Sequence, residues 1–294
     1  MPPRLGVLLA VLFWGVSFVA TKAVVTEISP AALVFARAGL GTTLLVAILG
    51  RRRQPVVPPR GAWPALAAMG FVGVAFHQML QAYALTLTSA VKTGWLIGLT
   101  PLWSALLSGL LLKERFGPVK VLGLALGFFG AALVVTRGRP SGLLALPSTR
   151  GDLLILASTL NWAFYSVLGH PTIRRLGPTQ ATAGSMFFGF VFLAPFFLAA
   201  RAWSDYGRLS AAGWAALLFL GLACSGLGYL FWYGALERIE ASRVASFLYL
   251  EPLITLAAAV ALLGENVSAT TLAGGLLLLA GVAVVQRAPG RRTG

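Results

Sequence analysis

Two ionisable residues of this chain lie where charge is expensive. Glu251 and Arg37 both fall inside long apolar runs. Glu251 lies about nine residues from one end of its run, or ~14 Å at 1.5 Å per residue, and Arg37 ~9 Å inside its own. A lone carboxylate at such depth must be paired or carry a proton. Glu251 therefore reads either as a proton-exchanging group or as a structural acid bonded to backbone that Pro252 frees. Arg37 reads as an attractor for a carboxylate or as a gate, against a structural salt bridge or carbonyl contact. A polar cluster, His77, Gln78 and Gln81, interrupts another apolar run, with His77 and Gln81 sharing a helical face. Polar groups in such runs face a cavity or one another, although glutamines also bridge helices.

Aromatic residues accompany them. Trp14 and Ser17 share a stripe with Phe18 and Thr21; Trp162 and Tyr165 form a matching one with Asn161 and Ser166. Tyr229 and Tyr233, Trp95, and Tyr249 complete the set of candidates for a binding site. Rings with a few hydroxyls and amides suit an amphipathic solute, holding an ammonium by cation–π attraction and an apolar body by stacking. Helix packing explains the mid-run aromatics equally well. Trp63, Trp203, Tyr206 and Trp214, near run ends, read as interfacial belt residues.

The same inventory argues against catalysis. An intramembrane enzyme needs a nucleophile with its base, a metal, or an acid–base pair. The chain has two His, one Cys (Cys224) and eight acidic residues, of which only Glu251 is deep. No metal spacing and no phosphate-binding G-x-x-x-x-G-K-[ST] loop occurs, so no cofactor, no metal and no direct ATP drive is expected. Rings of charge or a repeated filter, as a channel would need, are not visible.

The elements that position these residues are apolar helices. Of the 294 residues 58% are hydrophobic and 11% charged, against about 25% charged in soluble domains. A crossing helix needs about 20 apolar residues. The pattern predicts ten spans: 5–25, 31–49, 65–86, 90–111, 119–136, 153–169, 180–199, 213–235, 242–263 and 269–286. Pro101 and Pro252 fall mid-span and should bend or break their helices, as hinges or static kinks. Met1–Arg4 before an apolar run resembles a cleaved leader, but the run of about 21 residues exceeds a leader core and has a counterpart later in the chain.

The net charge of +15 does not point to nucleic acid, because the basic residues lie between spans. With the N-terminus in the cytoplasm, fifteen Lys and Arg fall inside and five outside, the bias that sets topology. Both termini are then cytoplasmic, in a multi-pass cell (inner) membrane protein. Lys22 and Lys92, near outer span ends, should snorkel.

The chain repeats itself. Shifted by 148, Trp14 falls on Trp162, Ser29-Pro30 on Gly177-Pro178, and Phe71-Val72-Gly73 on Phe219-Leu220-Gly221. Further on the shift becomes 151: Pro101 falls on Pro252, Glu114 on Glu265, Gly123 on Gly274 and Gly130 on Gly281. A three-residue insertion in the eighth span accounts for the change. Residues 1–138 form a first five-helix repeat, 139–151 a linker, 152–287 a second repeat and 288–294 a cytoplasmic tail. Five spans per copy is an odd number, so the copies are inverted, the architecture of secondary transporters. The expected fold is all-α, two inverted five-helix repeats around a central cavity; one chain holds both halves, so a monomer suffices.

Trp14-Gly15 with Ser17-Phe18, Pro30 followed by Arg37, Pro101, Lys113-Glu114-Arg115 and the glycines Gly123, Gly127 and Gly130 form a recognisable set. The second copy answers with Glu251-Pro252, Gly264-Glu265, Gly274 and Gly281. Over about 5–287, this set resembles the drug/metabolite transporter superfamily in its EamA-type branch of ten-helix carriers. Within the branch it is most similar to the YddG-type exporters of aromatic and other amino acids. Arg37 departs from the repeat, since Ser185 occupies the matching place. The resemblance implies alternating-access export of amino acids of broad specificity. The alternatives are a carrier for another small solute, such as a drug, an organic cation, a nucleoside-like compound or a carboxylate, and, more distantly, an intramembrane enzyme. The expected partners are a small-molecule substrate and the bilayer.

Overall fold

The computed structural model describes residues 1–114, 116–136, 150–263 and 269–288, and for a few of these, Val91, Lys92 and Trp95 among them, the backbone alone. Among the described residues all regular structure is helical. In chain order these are α1 (Pro3–Glu27), α2 (Pro30–Arg51), α3 (Arg60–Leu87), α4 (Ala90–Ile97 and Thr100–Leu111), α5 (Pro118–Thr136), α6 (Arg150–Leu176), α7 (Pro178–Ala199), α8 (Ala211–Leu236), α9 (Ala241–Ser246, Phe247–Leu250 and Glu251–Leu263) and α10 (Ala269–Arg287). Six of them, α1, α2, α3, α6, α7 and α8, are long and apolar enough to cross a membrane. The side chain of Trp95, the linker 139–151 up to residue 149, Glu265 and the tail from residue 289 lie outside the described residues.

The helices run longer than their apolar cores, and one boundary moves for a physical reason. The sequence places a break from His170 to Pro178, yet α6 continues through Pro171 to Leu176. Pro171 forfeits one backbone bond without ending the helix. Gly177 ends it: at φ 78° it turns the chain left-handed, and its N–H donates to the Ile173 carbonyl at 2.8 Å.

Irregular backbone is concentrated in α3, α4, α8 and α9. Gly70–Phe76 of α3 and Phe219–Gly228 of α8 are π-helical, seven and ten residues long. The later segment is the longer by three residues, the same number by which the sequence offset changes from 148 to 151. In α4 the helix stops at Ile97 and restarts at Thr100, with Pro101 in the new first turn. In α9 a 3₁₀ segment, Phe247–Leu250, precedes a restart at Glu251, with Pro252 second. A proline costs nothing there, because a first-turn N–H has no intrahelical partner.

Packing interleaves the two halves. α5 packs along α10, and α2 along α7; α1 lies against α8 and α9, while α6 lies against α3 and α4. Between α5 and α10 the backbones touch: a Cβ built on Gly281 would meet the Gly127 nitrogen at 2.4 Å and the Gly123 oxygen at 2.7 Å, the close approach that small residues permit. The Lys22 ammonium ends at the terminus of a neighbouring helix. Its Nζ donates to the carbonyls of Leu85 at 2.6 Å and Thr88 at 3.0 Å, closing the open C-terminal end of α3.

Candidate functional site

Where the irregular segments converge, seven helices line a cavity of about 40 Å³. Trp14, Ser17 and Phe18 reach it from α1, Arg37 from α2, and His77, Gln78 and Gln81 from α3. Ile97 and Thr100 come from the break in α4, Trp162 from α6, Tyr229 from α8, and Leu248 and Glu251 from the break in α9. At 10–15 Å³ per water this is room for about three waters.

The aromatic wall is continuous. The rings of Trp14 and Trp162, matched by the 148-residue shift, meet edge-to-face at 5.1 Å and 81°. Trp162 also packs on Tyr229 at 5.3 Å, His77 at 4.9 Å and Tyr165 at 5.1 Å, and Tyr165 on Tyr233 at 5.6 Å. The edge-to-face contacts among these, Trp14 with Trp162 and Trp162 with Tyr229, contribute about 0.5–1.5 kcal/mol each. The glycine at position 73 is required by this wall, since a Cβ there would sit 2.0 Å from the Tyr165 ring.

The polar groups divide into fixed and unfixed. Gln78 Nε2 donates to Tyr229 Oη at 3.3 Å, whose hydroxyl donates to the Gly73 carbonyl at 2.9 Å. Gln81 Nε2 donates to Ser158 Oγ at 3.4 Å. Trp14 Nε1 donates to the Cys224 carbonyl at 3.1 Å. The glutamines therefore both bridge helices and line the cavity. Among the described residues, three buried polar atoms of the residues lining the cavity make no hydrogen bond: Gln78 Oε1, Thr100 Oγ1 and Trp162 Nε1. Leaving such atoms unpaired costs about 1–3 kcal/mol each.

The two deep ionisable groups line the same space and do not pair. Glu251 is 2% exposed and Arg37 7%, so neither is answered by bulk water. Arg37 Nε donates to Ser225 Oγ at 3.2 Å. Among the described residues neither Arg37 nor Glu251 forms an ion pair, and the expected salt bridge or backbone anchor for them is not seen.

The structure thus gathers Trp14, Ser17, Arg37, His77, Gln78, Gln81, Trp162, Tyr229 and Glu251, with Tyr165 and Tyr233 one layer behind. Pro101 and Pro252 each follow a lining residue, Thr100 and Glu251. Tyr249 lies elsewhere: its hydroxyl donates to the Leu124 carbonyl at 3.1 Å and its ring covers Gly127, pinning α9 to α5. Sequence reasoning passed over the pairing of Thr100 with Glu251. The 151-residue shift relates them, and that shift was the signal for it.

One end of the bundle is tied shut. Glu114, between α4 and α5, accepts from the Ala241 N–H at 2.8 Å, from Ser242, from Ser108 at 3.2 Å and from Lys120 at 3.2 Å. Lys120 also pairs with Glu240 at 3.0 Å, and Arg243 with Glu240 at 3.1 Å. A single carboxylate thereby caps α9 and joins the two halves.

Comparison with known proteins agrees with this geometry. The EamA-like transporter family model matches residues 2–136 and again 149–287. An uncharacterised transporter of Archaeoglobus fulgidus is 33% identical over 95% of this chain and 96% of its own. A probable terminal-alkyne amino-acid exporter of Streptantibioticus cattleyicolor is 27% identical over 96% of this chain and 92% of its own. A solved crystal structure superposes with a TM-score of 0.74 at 21% identity, covering 96% of this chain and 95% of that one, and shares the fold. With the family model matched across nearly its whole length and apolar helices throughout, this chain is a multi-pass membrane protein that belongs to the EamA-like transporter family.

Proposed function

We propose that this protein exports amino acids, aromatic ones included, across the cytoplasmic membrane by alternating access. The observation that carries the reading is the central cavity, which combines an aromatic wall, unpaired hydrogen-bonding atoms, a guanidinium and a carboxyl group. Amino acids present a carboxylate, an ammonium and, in the aromatic members, a ring. The relative from Streptantibioticus cattleyicolor, a probable amino-acid exporter, supports the same direction and solute class.

In this reading ten helices cross the membrane as two inverted repeats, 1–138 and 152–287, joined by 139–151, with both termini in the cytoplasm and the monomer as the working unit. Two observations favour it. The contacts exchange between halves, α1 with α8 and α9 as α6 with α3 and α4. The matched tryptophans Trp14 and Trp162 meet each other, as residues beside a two-fold axis do. The matched breaks at Thr100-Pro101 and Glu251-Pro252 place non-helical backbone at the cavity, where such backbone is tolerated in a bilayer. Bending there opens one side or the other, and Glu114 ties one of the two mouths.

The test is flux in proteoliposomes. Labelled amino acids should move down their gradients and compete with one another. Replacing Gln78 and Trp162 together should abolish this. A pH gradient that drives uptake in the wild type but not in Glu251→Gln would make Glu251 the coupling group; pH-independent flux would make it a binding group alone. No flux of any amino acid would sink the amino-acid reading.

A further inference from the structure

Each of the two ionisable groups of the cavity stands opposite a neutral residue across the repeat. Trp14 answers Trp162 across the 148-residue shift, and both line the cavity; Thr100 answers Glu251 across the 151-residue shift, and both line it. The partner of Arg37 is Ser185, whose hydroxyl is spent on the Thr182 carbonyl at 3.1 Å. The first copy therefore contributes the cation and the second copy the acid, each with a neutral counterpart. Trp14 shares the lining with both, and its Nε1 donates to the Cys224 carbonyl, next in sequence to the Ser225 that holds Arg37. The next residue, Gly15, packs on Ile254 and on the Glu251 carbonyl, the latter 3.4 Å from a built Cβ. An ion pair held for structural reasons would join the two groups; left apart, the Glu251 carboxyl carries a proton in the empty cavity, because an unpaired buried charge is among the most expensive groups in a protein, and it releases that proton when an ammonium takes its place. These two do not pair.

From this we infer that Arg37 and Glu251 are the two poles of a zwitterion site, Arg37 receiving a carboxylate and Glu251 an α-ammonium, with the indole of Trp14 under the carbon between them. The inference rests on the amino-acid reading above and narrows it. The site selects molecules carrying both charges and rejects organic cations and simple carboxylates of the same size. The guanidinium fork suits a carboxylate, and the ammonium is also served by the neighbouring rings. Because each pole belongs to a different copy, a solute that bridges them also bridges the two halves that must move against each other.

The test uses three probes with one ring: phenylalanine, with both charges; phenethylamine, with the ammonium alone; and 3-phenylpropionate, with the carboxylate alone. Each displaces labelled phenylalanine from the purified full-length protein in detergent. Wild type should prefer phenylalanine over either single-charge probe by about tenfold or more, the value of one charge-assisted hydrogen bond. Arg37→Gln should lose the preference over phenethylamine while keeping that over 3-phenylpropionate; Glu251→Gln should do the reverse. Arg37→Lys and Glu251→Asp, which keep the charges, should retain part of each preference, and they stand in if a neutral variant does not fold. A wild type that binds the three probes alike, or variants that weaken all three equally, would overturn the zwitterion site while leaving amino-acid transport standing. Absence of binding by phenylalanine and every other amino acid tried would overturn both.

Discussion

Replacing Trp162 by Phe separates a packing role from a binding role. The indole of Trp162 touches Trp14, His77, Tyr165, Tyr229 and Trp232 at centroid distances of 4.9–5.8 Å, while its Nε1 is buried without a hydrogen bond. Phenylalanine keeps a ring in the cluster and deletes the unpaired donor. Losing part of the side chain costs about 1–2 kcal/mol, a fraction of the ~3–5 of a full truncation to Ala. Deleting the unsatisfied donor returns about 1–3 kcal/mol. The two offset, so the melting temperature should stay within about 4 °C of wild type. If that donor serves the solute, phenylalanine binding should weaken by about 0.5–1.5 kcal/mol, or roughly two- to tenfold. Thermal unfolding in detergent and a binding isotherm on the same preparation decide it. A melting temperature more than 10 °C lower with an unchanged dissociation constant would refute the reasoning and make Trp162 a packing residue.

Three further outcomes are expected. Glu114→Ala should cost about 2–4 kcal/mol, below the ~3–5 of an abandoned buried charge, because Lys120 keeps Glu240; the coupling with Lys120→Met in a double-mutant cycle, read by thermal unfolding, should be about 1–3 kcal/mol. Hydrogen bonds from Ser29 hold the Asp205 carboxyl below its ordinary range. This stabilisation is present above the unfolded-state value near 3.9 and is lost as pH falls through the lower folded value. Asp205→Asn should therefore melt below wild type at pH 7, and the gap should close below about pH 4. Gly281→Ala forces a Cβ onto the backbone of α5 and should cost about 1–3 kcal/mol or more, whereas Gly50→Ala, with nothing within 4 Å of its Cβ, should be neutral or stabilising by about 0.5–1 kcal/mol; side-by-side melting curves check both.

Much of this was legible in the sequence because a bilayer leaves the chain few choices: apolar runs of crossing length must be helices, and the polar residues inside them must find company. Hence Trp14, His77, Gln78, Gln81 and Trp162, drawn from three helices, could be named together before their positions were known. Detail set by tertiary contact was not legible. Tyr249 has the same composition signal as Tyr229, yet it turns toward α5 because Gly127 leaves a slot for its ring. Lys22 sits at a depth where snorkelling is open to it, and only the position of the α3 C-terminus shows that it caps carbonyls instead. The break expected at His170 fails because proline interrupts one hydrogen bond, while the chain reversal needs Gly177. The π-helical segments in α3 and α8 have no residue signal of their own; the change of repeat offset from 148 to 151 was their trace.

The central claim is that the cavity is the transport path and opens to each side in turn. It is tested by a single cysteine at Thr100→Cys in a Cys224→Ala background, since Cys224 is the one native thiol and is buried. An impermeant maleimide is applied from either face of oriented vesicles. Labelling from both faces, slowed on both by phenylalanine, is the result expected. Labelling from one face only, or from both without protection by any amino acid, would contradict it.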